Sequence, residues 1–185
     1  MKALKVTGIV ILLLVLGFLS IGFFSPKQVY KAETNIKKPV NEVFQLFNDH
    51  KRISEWIPEV KSFEIIRETP DLVGSTYKMM IENEGKLMEL NETLTSYKKD
   101  EMVKMEFKAG WMNKTNQFTF TKTEDGTQIL ANYTVQGNNP FAKSLFAFFT
   151  SMFRDMDSKN LNQFKQFAEK QNVQIDTLIN NSSIN

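Results

Sequence analysis

General acid–base chemistry needs a carboxylate, an imidazole or a similar group held inside a pocket, so the few residues able to supply one come first. The chain has a single histidine, His50, and no cysteine. One imidazole cannot anchor a His-rich metal centre, and without thiols there are neither disulfides nor thiolate metal sites. His50 stands between Asp49 and Lys51-Arg52, a run expected to form a solvated turn. Glu82, Glu84, Glu89 and Glu92 surround an Asn83-Glu84-Gly85 turn and are expected to face water. No nucleophile elbow, phosphate-binding glycine loop, zinc spacing or dinucleotide fingerprint occurs. Tyr77, Asn91 and Tyr133 remain as groups that could orient a ligand through a buried hydrogen bond. With no paired acid and base, these residues point away from catalysis, and neither a metal nor a cofactor is expected. Three Asn-X-Thr triplets, at Asn91, Asn113 and Asn132, match glycosylation acceptors, but so short a motif recurs by chance.

What the chain has in excess is apolar and polarisable: 16 Phe and 9 Met in 185 residues. Strand parity gathers many of them on one surface. Tyr77 and Met79 share a face, as do Met88 and Leu90. Met105 pairs with Phe107 in the same way, and Phe118 with Phe120. Phe149, Met152, Phe153 and Met156 recur at helical spacing further on. One reading is that these side chains simply fill a core. The functional reading is a pocket lined by Met and Phe, which adapts to apolar ligands of varied shape. Trp56 is expected to pack short helices onto a sheet, and Trp111, beside Gly110, to sit in a turn at a pocket mouth or a membrane interface.

The elements that must position these residues can be read from spacing and turns. Val29–Ile36 alternates as a strand and stops at Pro39. Val40, Val43, Phe44 and Phe47 follow at helical spacing, and a short helix is expected over Ile53–Ile57. Six further strands are predicted, at residues 60–67, 74–82, 87–97, 102–108, 112–122 and 127–136. Their short connections favour antiparallel pairing, and Glu124-Asp125-Gly126 is a hairpin signal. A Gly137-Asn138-Asn139-Pro140 break precedes one long amphipathic helix, residues 141–170, whose apolar stripe must cover the sheet. The Asn- and Ser-rich tail, residues 171–185, is expected to fray.

Val6–Pro26 contains no charged residue and is long enough to cross a hydrocarbon core. It is apolar all round, which argues against a core helix. A cleaved signal peptide is the alternative, but the apolar run exceeds the usual length. An uncleaved anchor over residues 6–26 is therefore expected. Lys2 and Lys5 favour a cytoplasmic amino terminus, whereas Lys27, Lys31, Lys37 and Lys38 at the other end argue the opposite. Because a five-residue tail usually stays inside, an extracytoplasmic domain in a single-pass cell-membrane protein is expected. Removing those two lysines from the 23 basic residues leaves 21 against 21 acidic ones. A neutral domain of this kind has no electrostatic footprint for nucleic acid.

Within this framework the segment Asn35-Ile36-Lys37-Lys38-Pro39-Val40-Asn41-Glu42-Val43-Phe44 resembles the strand-to-helix entry of the START-like superfamily, the polyketide cyclase/dehydrase and lipid-transport proteins. Trp56, the strand start at Gly74 and the long carboxy-terminal helix fit the same pattern. The resemblance spans residues 29–170. It implies an α+β helix-grip fold of the START or Bet v 1 type, a curved antiparallel sheet wrapped on a long helix, here preceded by one transmembrane helix. The expected division is an anchor with its flanks (1–28), the helix-grip domain (29–170) and a polar tail (171–185). The expected function is to hold a hydrophobic small molecule, such as a lipid, fatty acid or isoprenoid, in a cavity free of catalytic groups. A polyketide-cyclase-like enzyme and a ligand-free structural or partner-binding domain are the alternatives.

Overall fold

The computed structural model describes residues 2–83 and 85–171; the expected tail, from residue 172 onward, lies outside them. The charge-free segment is one helix, α1 (Lys2–Phe24), and its window Leu4–Phe24 is long and apolar enough to cross a membrane. Twelve of its large aliphatic and aromatic side chains, from Leu4 to Phe24, are more than half or nearly half exposed in the isolated chain. A helix apolar on every side has no water-facing stripe to present.

Seven strands follow: β1 (Lys27–Ile36), β2 (Val60–Arg67), β3 (Thr76–Asn83), β4 (Lys86–Lys98), β5 (Met102–Ala109), β6 (Met112–Thr123) and β7 (Gly126–Gly137). They form one antiparallel sheet in the order β1-β7-β6-β5-β4-β3-β2. Bulges at Leu94/Ser96 and within β2 interrupt the ladders, and bulges of this kind bend a sheet. Along β7 every second residue is buried, the period-2 pattern of a sheet covered on one face. Gly110, with φ +50°, makes the tight β5–β6 turn.

The register gives the sheet two distinct ends. The start of β1, the end of β7, the β5–β6 turn, the tip of the β3–β4 hairpin and the start of β2 share one end of the sheet, the end at which the chain enters β1 from α1. The end of β1 and the β6–β7 turn mark the opposite, far end. α2 (Val40–Phe47) leaves β1 there with Val43, Phe44, Leu46 and Phe47 buried. The second short helix is not at Ile53–Ile57. It is a 3-10 turn over His50–Glu55, started by Asp49 accepting from the Lys51 N–H.

The carboxy-terminal helix also departs from expectation, being two helices rather than one. α3 (Pro140–Phe148) is capped by Asn139 and packs on α1 and β7. α4 (Thr150–Lys170) packs along β1. Phe149 separates them with φ −103° and ψ 11°. α3 lies on α1 and the end of β7 while α4 follows β1, and the break at Phe149 lets each half follow its own apolar partner. α4 runs from the α1 end, where the Thr150 hydroxyl donates to Gln28 Oε1 (2.8 Å), to the far end, where Glu169 accepts from the Lys37 N–H (3.1 Å). Its buried side chains, including Phe153, Leu161, Phe164 and Ala168, meet the sheet and the short helices. Trp56 packs edge-on against Phe164 of α4 as well as near Phe47, so it ties the short helices to α4.

Candidate interior site between the sheet and the last helix

Parity on the covered face brings most of the expected lining residues inside. Tyr77, Met79, Met105, Phe107, Phe118, Phe120 and Phe153 are buried, and Leu90 is half-buried. Met88, Phe149, Met152 and Met156 are exposed. Met88 is near the start of β4, Phe149 sits at the break before α4, and Met152 and Met156 are in the first part of α4. Phe149, Met152 and Met156 fall at steps of three and four, on the helix flank that also carries Lys159. The Lys159 ammonium is 3.8 Å from Glu59, just before β2. That flank therefore turns toward the β2–β4 half of the sheet, while the opposite flank follows β1.

The expectation that the interior holds no ionisable group is wrong. Glu92, expected in water, is 3% exposed. It shares parity with Leu90 and Leu94 and lies in register between Tyr77 of β3 and Phe107 of β5. Its Oε1 is buried without a hydrogen-bond partner. Burial alone pushes its carboxyl up to about 8, because the ionised form has lost its water. At neutral pH this residue is a carboxylic acid. The other hairpin carboxylates behave as expected where described: Glu89 is exposed and Glu82 pairs with Lys61 across the surface (3.2 Å). Glu84 lies outside the described residues.

A second polar group sits under α4. Asp157, one turn after Phe153, accepts from Tyr30 of β1 (2.6 Å) through Oδ2 and from Lys114 of β6 (2.5 Å) through Oδ1. Both charged side chains are largely buried. The Tyr30 ring stacks on Tyr133 at 5.3 Å, and the Lys114 ammonium lies 5.2 Å above the Tyr133 ring. Burial first, and the Asp157 charge second, raise the phenol pKa of both tyrosines, so each keeps its proton. Each Asp157 oxygen has a donor, which closes this cluster on itself. Nearby, on the same face of β6, Asn116 Oδ1 is buried and unpartnered.

His50 is not solvated. It stacks on Phe63 (4.5 Å, nearly parallel) and lies 5.0 Å from Tyr77. Burial lowers its pKa despite Asp49 and Glu68 nearby, so it is a neutral, wall-forming ring. Of the groups expected to orient a ligand, Tyr77 and Tyr133 are inside and Asn91 is exposed, bonded to Glu89. Among the described residues no three His, Cys, Asp or Glu side chains gather as a metal site. Two clefts open at the surface instead. One, of about 300 Å³, is lined by Glu55, Gln163, Gln166, Phe167, Lys170 and Gln171. The other, about 430 Å³, lies at the far end between Pro39 and the β6–β7 turn. Neither coincides with the interior around Glu92.

Four site residues escaped the sequence reading, and each carried a signal. Tyr30 has the parity of Ile36. Lys114 and Asn116 have the parity of Phe118 and Phe120. Asp157 stands four residues from both Phe153 and Leu161, inside the apolar stripe.

Comparison with known proteins agrees with this architecture. Residues 27–169 match the family described as polyketide cyclase / dehydrase and lipid transport. The fold is shared with Ara h 8.0201 (TM-score 0.64, 12% identity, 78% of this chain and 99% of that one). It is shared equally with the Zhui aromatase/cyclase from Streptomyces sp. R1128 (TM-score 0.63, 12% identity, 77% and 94%). Protein SA2116 from Staphylococcus aureus, of unknown function, is also similar (TM-score 0.56, 18% identity, 78% and 97%). No curated protein matches the sequence. With a family match over nearly the whole sheet-and-helix unit, the chain belongs to the polyketide cyclase / dehydrase and lipid transport family.

Proposed function

We propose that this chain is a membrane-tethered binding protein that holds a hydrophobic small molecule with at least one hydrogen-bonding group in the interior between the sheet and α4. The observation that carries this reading is Glu92, nine-tenths and more buried, with an oxygen that no protein group satisfies. Leaving such an atom unpaired costs about 1–3 kcal/mol, and native proteins rarely tolerate it without a water or ligand partner. The rest of the wall is Met, Phe and Leu with the rings of Tyr77 and His50. Each ligand CH₂ buried there contributes about 0.8 kcal/mol, while Glu92 and Asn116 supply orientation. The family description includes lipid transport, which fits a fatty-acid, lipid or isoprenoid ligand. α1 serves as the tether, and Lys2 and Lys5 hold its short end in the cytoplasm, leaving the domain on the outer side. Tethering keeps the domain at a high effective concentration of membrane-derived ligand.

The test uses the full chain purified from native membranes in mild detergent. Mass spectrometry of its organic extract should reveal a bound lipid-like molecule, and a fluorescent fatty acid should titrate the emptied protein. Met105→Trp, which fills the buried face of β5, should abolish both signals while the far-ultraviolet dichroism is unchanged. An empty extract together with a flat titration removes the proposal.

One observation favours a second reading. A carboxylic acid kept protonated at neutral pH is a competent general acid, as a cyclase or dehydratase would require. Glu92→Gln separates the two: a carrier retains its ligand, whereas an enzyme loses turnover of the same bound molecule.

A further inference from the structure

The contacts of α1 carry information that its hydropathy does not. Gly22 is buried against α3, its N–H donating to Ser144 Oγ (3.1 Å). A Cβ at Gly22 would come within 2.5 Å of Ser144 N and Oγ. Ser144 Oγ also lies 3.4 Å from the Leu19 carbonyl oxygen. Phe18 packs on Phe141 (5.5 Å) and stacks on Phe148 (6.1 Å). α3 is thus seated on Phe18, Leu19 and Gly22, all within the apolar window that ends at Phe24. At 1.5 Å per residue, Phe18 lies about 9 Å inside the end of that window.

If α1 spans a bilayer, α3 cannot be in bulk water. We propose that α3, with the β5–β6 turn and the β3–β4 hairpin tip, forms a platform buried in the surface of the bilayer that α1 crosses. This rests on the reading of α1 as an uncleaved tether. The occupant is lipid because the exposed apolar groups of α3 and Trp111 adjoin the apolar surface of α1 through Phe18. Phe141 and Phe148 are 54% and 60% exposed on α3. Trp111, 44% exposed, stacks with Phe141, and an indole suits the headgroup layer. Leu87 and Met88, 64% and 49% exposed, occupy the hairpin at the same end of the sheet. Scattered apolar residues need no explanation, but a set gathered at one end of the sheet, the end beside α1, does. The exposed flank of α4 carrying Met152 lies at this end too.

The absence of native cysteine makes single-cysteine probes clean. Leu13→Cys, Phe148→Cys, Leu87→Cys and Asp125→Cys, each in the full chain, are labelled with a bimane fluorophore and reconstituted into phosphatidylcholine vesicles containing nitroxide-labelled lipid. Leu13 reports the span, and Asp125, in the β6–β7 turn, reports the far end. Phe148→Cys and Leu87→Cys should lose emission to nitroxide lipid as Leu13→Cys does, while Asp125→Cys keeps it. Both are exposed positions; Phe148→Cys gives up the stack on Phe18, while Phe141 and Ser144 still seat α3 on α1. Quenching at Leu13 without quenching at Phe148 and Leu87 overturns the platform and leaves the tether standing. Loss of quenching at Leu13 itself overturns both.

Discussion

Raising the pH should weaken this fold, and Glu92 sets the size of the effect. The carboxyl is held at about 8 in the folded chain against 4.5 when solvated. Below the lower value both states carry the proton, and the contribution of Glu92 to stability is at its fullest. Between the two values the unfolded chain releases the proton while the folded chain keeps it, so stability falls as pH rises. Above the upper value both states are ionised and the loss is complete. At 1.36 kcal/mol per pH unit, the loss comes to about 5 kcal/mol. That is comparable to the entire stability of many domains, about 5–15 kcal/mol. The assay is urea denaturation of the full chain in detergent micelles, read by Trp emission, at about pH 5 and about pH 9. Trp56, buried against Phe164, reports loss of the core. Glu92→Gln keeps the shape and cannot ionise, so the difference between native and variant isolates this one group. The native chain should lose about 4 kcal/mol relative to the variant across that interval, most of the full loss. Parallel curves for the two proteins would refute the reasoning, because Glu92 would then be solvated or partnered in the fold. A bound ligand that hydrogen-bonds the neutral acid should steepen the loss, since ionisation would also expel it.

Other perturbations test other parts of the structure. Lys114→Met leaves Asp157 as an unneutralised buried charge and should cost about 3–5 kcal/mol in urea denaturation; adding Asp157→Leu should return much of it, and no recovery would mean that the pair is not coupled. Gly22→Leu forces α1 away from Ser144 and, as an overpacked contact, should cost about 1–3 kcal/mol in thermal unfolding, with Gly8→Leu, which meets nothing within 4 Å, as the neutral control. His50 titrates in the opposite sense to Glu92. Its pKa is lowered by burial, so its contribution holds above the ordinary histidine range and is lost as pH falls through the depressed folded value; His50→Phe should flatten the acid limb of the stability profile while preserving the stack on Phe63.

Much of the architecture was legible along the chain because local patterns dictate it. Alternation in Thr127–Gln136 marks a half-buried strand, Glu124-Asp125-Gly126 marks its turn, and the charge-free run before Pro26 marks a helix that water cannot solvate. The seven strands follow from such signals, since hairpins pair neighbours. Parity likewise brought Tyr77, Met79, Met105 and Phe118 to the covered face, as side-chain direction alternates strictly along a strand.

The departures arose where residue type and position disagreed. Glu92 has the parity of Leu90 and Leu94, yet a carboxylate is so seldom buried alone that its chemistry suggested water. Position prevailed because turning one residue outward would reverse the register of the whole strand. Asp157 and Lys114 are a different case. Each interrupts an apolar pattern, but the partner that makes burial tolerable lies 43 residues away, and no local signal announces it. The same holds for the break at Phe149, which depends on α1 and β1 offering apolar surfaces in different directions. Period and turn chemistry act within a few residues and can be read from the chain. Which distant charge meets which, and where a helix must bend, depend on the packed sheet bringing those groups together.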